Sequence, residues 1–266
     1  MTNVKDTMIP DLSFAIGPIM VTPLFWGLAG ATVISSFAIW RYLKEDYPEE
    51  IIFGSSLAVG VMALIFSRLF FVLFNLNDFG LSLVNWLTLS VRENFSLVGA
   101  FMGAVLIAYW QNARSKRNPW EFLDALTLPI FFFLVAGGGG TFLTTGRYWS
   151  LAYLGLGLWG ILTFPWLKRK YRSFTWYQSG KTGFLISFSG SWIFALLFLL
   201  AFLENGKIYL SNWAWLFSIL VCLGILYYRS ERDLKKDWGG LFKGRLSFKE
   251  DKNGKSRFPG HLTRTD

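Results

Sequence analysis

The sequence is poor in charged residues and in the side chains that most often carry out catalysis or bind metals. Asp, Glu, Lys and Arg make up 16% of the 266 residues, whereas soluble domains contain about a quarter. There is one cysteine, Cys222, in an apolar run, and one histidine, His261, in a polar tail. A single cysteine cannot form an intrachain disulfide, and no metal-ligand spacing is present. We therefore expect no disulfide, no metal site and no cofactor.

Apolar and aromatic residues dominate instead, at 53% and 19% of the chain. A run of about 20 apolar residues spans the bilayer core as a helix, and such runs recur along the whole length. They predict an all-α, polytopic membrane protein with seven transmembrane helices. The predicted spans are Ile19–Trp40, Ile51–Phe74, Phe95–Tyr109, Leu126–Phe142, Leu151–Leu167, Gly183–Leu203 and Leu210–Tyr228.

Basic residues predict the orientation of these spans. The great majority of the 26 Lys and Arg residues fall in one alternating set of connections and in the C-terminal tail. Because loops rich in Lys and Arg stay in the cytoplasm, we expect the N-terminus outside and the C-terminus inside. The predicted organisation is a short external segment (1–18) without a cleavable signal peptide, a seven-helix domain (19–228) and a basic cytoplasmic tail (229–266).

The net charge of +9 is mostly explained by this topology. The basic tail is either solvated and disordered, or it lies on the anionic inner leaflet, where each basic residue contributes about 1 kcal/mol. No aromatic-basic motif supports nucleic-acid binding, so no nucleic-acid partner is expected.

Ionisable residues inside or beside the spans are candidates for function, because such residues are expensive in a bilayer. Arg68 lies in the outer half of the second span, where it bonds to protein groups or contacts a lipid phosphate. Asp124 begins the fourth span, where a carboxylate favours the positive end of the helix dipole. Arg147 follows that span beside Tyr148 and Trp149, as an interfacial anchor does.

Glycines mark two further places. Gly99 and Gly103 form a small-xxx-small face that lets two helices approach closely. The run Gly137–Gly140 lies inside an apolar span, although each glycine weakens a helix by about 1 kcal/mol. It either allows close helix packing or breaks the helix and turns backbone N–H groups into a cavity.

Several segments resemble the prolipoprotein diacylglyceryl transferases, over residues 14–228 and most clearly in the first half. The family's first span carries a Gly-Pro followed by Tyr-Gly-Leu, and Trp26-Gly27-Leu28 holds the latter place here. Its second span ends in Gly-Ala-Arg, where this chain has Ser67-Arg68-Leu69. Residues 95–130 are similar to the third span, the basic loop and the Leu-Asp start of the fourth. The last spans agree in length and position alone.

The family transfers a diacylglyceryl group from phosphatidylglycerol to the lipobox cysteine of a prolipoprotein, and glycerol 1-phosphate leaves. The resemblance therefore implies lipoprotein biosynthesis in a bacterial plasma membrane, with phosphatidylglycerol and a prolipoprotein signal segment as partners. It also implies which residues hold the lipid or its phosphate: Arg68, Arg147, Trp26, Gly138, Gly139, Gly140 and Thr141.

The family's catalytic positions carry different residues in this chain. Its His-Gly-Gly at the start of the third span reads Val98-Gly99-Ala100, and its Arg-Ile-Gly-Asn-Phe signature reads Gly-Gly-Gly-Thr-Phe over 138–142. The sixth span contains no arginine. A positioned base is worth about 10²–10⁴-fold in rate, and one anion-stabilising donor about 10²–10³-fold. The catalytic residues cannot be assigned.

The sequence alone is compatible with three functions. The first is a divergent transferase that uses Arg68 and Arg147 to bind the phosphate. The second is a non-catalytic relative that binds phospholipid or a lipoprotein segment, and the third is an unrelated seven-span transporter. Transporters usually carry paired ionisable residues or matched broken helices within the bundle, and this sequence has neither.

Overall fold

The computed structural model of the chain describes residues 14–16, 19–76, 96–177, 179–205 and 210–232. The chain divides into two compact units, Met1–Ser230 and Glu231–Asp266, and all the elements below belong to the first. Two short strands, β1 (Phe14–Ile16) and β2 (Ile19–Val21), pair in antiparallel fashion. The other regular elements in the described residues are helices, joined by turns and loops.

Eight α-helices lie within the described residues. They are α1 (Pro23–Leu43), α2 (Glu49–Phe74), α3 (Leu97–Arg114), α4 (Pro119–Ala125), α5 (Thr127–Thr145), α6 (Ser150–Lys170), α7 (Phe184–Asn205) and α8 (Leu210–Arg229). A 3-10 turn, Tyr171–Ser173, extends α6.

Six of the helical segments in the described residues are long and apolar enough to cross a membrane, with α4 and α5 together forming one of them. The chain is therefore a helical, multi-pass membrane protein, as predicted. The remaining predicted span, Phe95–Tyr109, forms the 18-residue helix α3, which ends in the polar residues Gln111, Asn112 and Arg114 and is not among the six. Seven spans, and their orientation, stay a prediction.

The first and fourth helical segments begin at residues other than the predicted ones, for local reasons. The first span begins at Pro23 rather than Ile19, because Ile19–Val21 pairs as a strand and Thr22 caps the helix. Proline at the first helical position has no N–H to leave unpaired. The fourth helical segment begins at Pro119 rather than Leu126, with the side chain of Asn118 accepting a hydrogen bond from the Trp120 N–H at 3.2 Å.

The helices pack in three groups. α2 packs chiefly on α3, α5 lies between α1 and α6, and α7 packs on α8. Glycines allow the closest approaches: a Cβ at Gly103 would lie 2.5 Å from the Met62 carbonyl oxygen, and one at Gly157 would lie 2.7 Å from that of Phe131. The predicted small-residue face of Gly99 and Gly103 therefore packs on α2.

The connections α1–α2, α3–α4 and α6–α7 meet at one end of the bundle. Tyr47 donates a hydrogen bond to the Asn118 carbonyl oxygen at 3.1 Å, and the Asn118 amide donates to the Thr182 hydroxyl at 3.0 Å. We call this the basic end, because the described Lys and Arg residues of these connections and adjoining helix ends lie here: Arg41, Lys44, Arg114, Lys116, Arg117, Lys168, Arg169, Lys170, Arg172, Lys181 and Arg229. Arg147 lies at the opposite end.

Candidate functional site

The glycine run lies inside an unbroken helix. α5 continues from Thr127 to Thr145 and ends only at Gly146, which has the left-handed conformation (φ +67°) typical of a helix C-cap. Of the two interpretations left open by the sequence, the structure therefore supports close packing and contradicts a helix break. N–H groups within a continuous helix bond to carbonyl oxygens one turn back, so the glycine backbone does not form a phosphate-binding loop.

Neighbouring helices cover two of the glycines. A Cβ at Gly138 would lie 2.6 Å from the Ser150 carbonyl oxygen of α6, and one at Gly140 would lie 2.6 Å from the Leu24 Cα of α1. A Cβ at Gly139 would lie 3.2 Å from the Leu154 side chain, whereas a Cβ at Gly137 would have no neighbour within 4 Å. The glycines thus let α1 and α6 approach α5 from two sides.

Trp26 and Thr141 are close in sequence to the residues where α1 and α5 pack together, but the two side chains differ in exposure. Trp26 is 54% exposed, and its ring meets Phe25 edge to face. Its neighbour Gly27 turns to α5, where a Cβ would lie 3.3 Å from the Ala136 carbonyl oxygen. Thr141 is half-buried, and its carbonyl oxygen accepts a hydrogen bond from the Thr145 hydroxyl at 2.8 Å.

Arg147 follows the end of α5 and begins the turn into α6. It is exposed, together with Tyr148 and Trp149; its role as an interfacial anchor stays a prediction. The Ser150 N–H donates to the Arg147 carbonyl oxygen at 3.0 Å, which orders the turn. Arg147 thus lies just beyond the end of the glycine helix, at the end of the bundle opposite the basic end.

Arg68 belongs to a different part of the bundle. It is half-buried on α2, with its guanidinium carbon 5.8 Å from the centre of the Phe71 ring. The adjacent Ser67 carbonyl oxygen accepts the Ser96 N–H at 2.9 Å, so the start of α3 is fixed here. Arg68 lies about 28 Å along the helix from Glu49, near the far boundary of a bilayer core about 30 Å thick. The predicted site residues thus fall in two places. Gly138–Gly140 pack near the start of α1, whereas Arg68 lies where α2 packs on α3.

The role of Asp124 differs from the prediction. Its carboxylate is buried (1% exposed) and accepts hydrogen bonds from the Gly183 N–H at 2.7 Å and the Ile186 N–H at 3.0 Å. These donors belong to the first turn of α7, so Asp124 caps a helix that begins far along the chain rather than its own. Gly183 has no side chain with which to cap α7 itself. No local sequence signal could reveal this partner.

A second unpredicted contact joins the end of α8 to the same place. The Arg229 guanidinium lies 4.8 Å from the Trp120 ring centre, and its Nε donates to the Thr182 carbonyl oxygen at 2.9 Å. Arg229 was expected in the flexible tail, and the structure assigns it to the bundle. Tyr177 is fully buried nearby and donates to the Lys181 carbonyl oxygen at 2.8 Å. Burial raises the pKa of Tyr177, so its hydroxyl remains a neutral donor.

In comparisons with known proteins, no family model matches this chain and no curated protein matches it. The resemblance to the diacylglyceryl transferases therefore rests on the sequence segments given above. Arg68 and Arg147 both lie towards the end of the bundle opposite the basic end. The lipid or phosphate contacts assigned to Arg68, Arg147, Trp26 and the glycine segment stay a prediction.

Proposed function

We propose that this chain is a bacterial plasma-membrane protein that binds phosphatidylglycerol near Arg68 and Arg147, on the scaffold of the diacylglyceryl transferases, without carrying out the transfer. The observation that carries this proposal is the unbroken, covered glycine helix α5. By the sequence resemblance, residues 138–142 of this helix correspond to the family's signature, and here they provide close packing in place of charged side chains.

The start of α3 supports the same conclusion. The position that resembles the family's histidine is Val98, which is only 3% exposed. A buried valine cannot accept a proton from the lipobox thiol. The unperturbed pKa of a cysteine thiol is about 8.5, so little thiolate forms at neutral pH without a base.

Binding a lipid requires fewer functional groups than catalysing the transfer reaction. A phosphate group is held by cationic donors, and arginine provides several N–H groups in a planar array. Arg68 and Arg147 lie near the boundary of the bilayer core, where phospholipid headgroups are found. Exposed aromatic rings next to Arg147 have the composition of an interfacial belt.

A transporter is less well supported by the described residues. Asp124 is a buried carboxylate in the apolar helical segment Pro119–Thr145, and both of its oxygens accept hydrogen bonds from N–H groups at the start of α7. It serves as a helix cap, which leaves it poorly suited to carry protons or ions along a pathway.

Lipid capture and group transfer can be measured on one preparation. The protein is placed in proteoliposomes of phosphatidylglycerol with a lipobox peptide, and the peptide mass is read before and after incubation. Native mass spectrometry then counts retained phosphatidylglycerol and phosphatidylcholine. We expect no mass gain, and a preference for phosphatidylglycerol that falls in Arg68→Gln and Arg147→Gln but not in the control Arg41→Gln, at the basic end.

Each other outcome contradicts the proposal. A gain of one diacylglyceryl group that is lost in Arg147→Ala would establish a transferase with a rearranged site. Equal retention of both lipids by the wild-type protein would refute phosphatidylglycerol binding. Loss of preference in Arg41→Gln to the same extent would show that net charge, rather than this site, attracts the lipid.

A further inference from the structure

A membrane-facing groove runs between α6 and α7, away from the residues discussed above. These helices touch only sparsely, and two adjoining apolar cavities of about 370 and 220 Å³ lie between them. Trp159 of α6 and Trp192 of α7 border both cavities. Their ring centres are 6.1 Å apart, so the two rings bridge the groove.

The tryptophan pair lies near the middle of the bilayer. Trp159 is about 16 Å along the helix from Lys170, which is about half the thickness of the bilayer core. The pair therefore separates the groove into one compartment per leaflet. The smaller compartment, lined by Thr163, Trp166 and Leu167 among others, belongs to the leaflet at the basic end.

Basic residues continue the wall of this smaller compartment. Side chains three and four positions apart share one face of a helix, and the residues at those positions after Trp166 are Arg169 and Lys170. Both are exposed. Exposed Trp166 itself lies 6.1 Å from Phe174, measured between ring centres, and so places aromatic rings at the interface. An apolar slot thus opens next to two cations at headgroup depth.

We propose that this slot is a binding site for an anionic phospholipid of the leaflet at the basic end. One acyl chain fills the compartment below the Trp159–Trp192 pair, and the phosphate contacts Arg169 and Lys170. The site differs from the one near Arg68 and Arg147 in helices and in leaflet, and it does not depend on the proposed function.

The dimensions favour an acyl chain over a helix of a partner protein. A helix with side chains is about 10–12 Å wide, which is more than the 6.1 Å between the bridging ring centres. A helix could enter only if the tryptophans separated. A single hydrocarbon chain needs no such rearrangement, and the cationic end matches a negatively charged headgroup.

Two variants test the two halves of the site. Arg169→Ser/Lys170→Ser removes the headgroup contacts, and Arg41→Ser/Lys44→Ser removes the same charge elsewhere at the basic end. Thr163→Phe fills the slot. Its control is Thr32→Phe, because Thr32 is exposed on α1. The Thr32 hydroxyl donates one turn back, to the Leu28 carbonyl oxygen at 2.8 Å, as the Thr163 hydroxyl donates to that of Trp159 at 2.9 Å.

The proteins are reconstituted in nanodiscs of mixed phosphatidylglycerol and phosphatidylcholine, in wild-type and Arg68→Gln backgrounds, and retained lipids are counted by native mass spectrometry. We expect Arg169→Ser/Lys170→Ser to weaken phosphatidylglycerol retention about 30-fold, from roughly fivefold per basic residue. Thr163→Phe should remove one retained phospholipid in both backgrounds. Both controls should behave like their parent.

The proposal is overturned if Thr163→Phe retains as many lipids as Thr32→Phe, or if the two charge variants behave alike. Retention of a polypeptide instead of a lipid would assign the groove to a partner helix. Since these variants leave Arg68 and Arg147 unchanged, failure of the phosphatidylglycerol site near those arginines would not affect this result.

Discussion

Replacement of Asp124 should show how much of the bundle depends on one buried carboxylate. The carboxylate satisfies two donors at the start of α7, the Gly183 and Ile186 N–H groups. An alanine leaves both without a partner in the protein. An asparagine keeps one carbonyl oxygen as acceptor but turns an amide group towards the other donor.

The expected magnitudes follow from these two hydrogen bonds. A buried donor without an acceptor costs about 1–3 kcal/mol, and loss of an N-cap costs about 0.5–2 kcal/mol. We expect Asp124→Ala to lower the free energy of unfolding by about 2–4 kcal/mol, the lower part of the sum for two donors, because water can enter at the basic end. Asp124→Asn should lower it by about 1–2 kcal/mol.

Unfolding free energies measured by steric trapping in bicelles would decide this. Glu50→Ala is a suitable control, because Glu50 is an exposed acid in the first turn of α2 and should change stability by less than about 1 kcal/mol. The capping argument is refuted if Asp124→Ala is no less stable than Glu50→Ala. Equal loss in the alanine and asparagine variants would show that charge, rather than hydrogen bonding, is what α7 requires.

Three glycine substitutions should give results of predictable sign in the same assay. Gly138→Ala should destabilise the protein, because its Cβ would lie 2.6 Å from the Ser150 carbonyl oxygen; unchanged stability would contradict this packing. Gly137→Ala should stabilise it by about 1 kcal/mol through helix propensity, since the site faces open space, and a loss would show that the site is occupied. Gly183→Ser should destabilise it although serine is a favoured cap, because φ is +97° and a Cβ would lie 2.8 Å from the Trp120 ring; a gain would reverse this assignment.

Helix positions were the most predictable part of the fold, because a bilayer sets the length of an apolar run. The second predicted span, Ile51–Phe74, corresponds to α2 (Glu49–Phe74), and the last, Leu210–Tyr228, corresponds to α8 (Leu210–Arg229). Errors arose where polar residues continue or precede the apolar run. Pro119 begins a helix several residues before the apolar stretch, since proline and the capping Asn118 form a start signal outside the hydrophobic pattern.

The relative positions of candidate site residues could be predicted only where those residues are close together in the sequence. Only six residues separate the glycine run from Arg147, so the position of Arg147 just beyond the end of the helix that carries the glycines follows directly. Contacts between distant segments could not be deduced, since the Asp124 cap on α7 depends on how the bundle packs. The groove between α6 and α7 was likewise missed, because it reflects helices that stay apart rather than a motif.

The join between Arg229, Trp120 and the start of α7 has a consequence for biosynthesis. A nascent membrane protein leaves the ribosome from its N-terminus, so Asp124 is already inserted when α7 emerges and can cap it at once. Arg229 is the last residue of α8, and its guanidinium reaches the Thr182 carbonyl oxygen only after the final helix has been inserted. The order of the chain therefore allows the cap on α7 to form before α8 is inserted, whereas the Arg229 contact needs α8 in place.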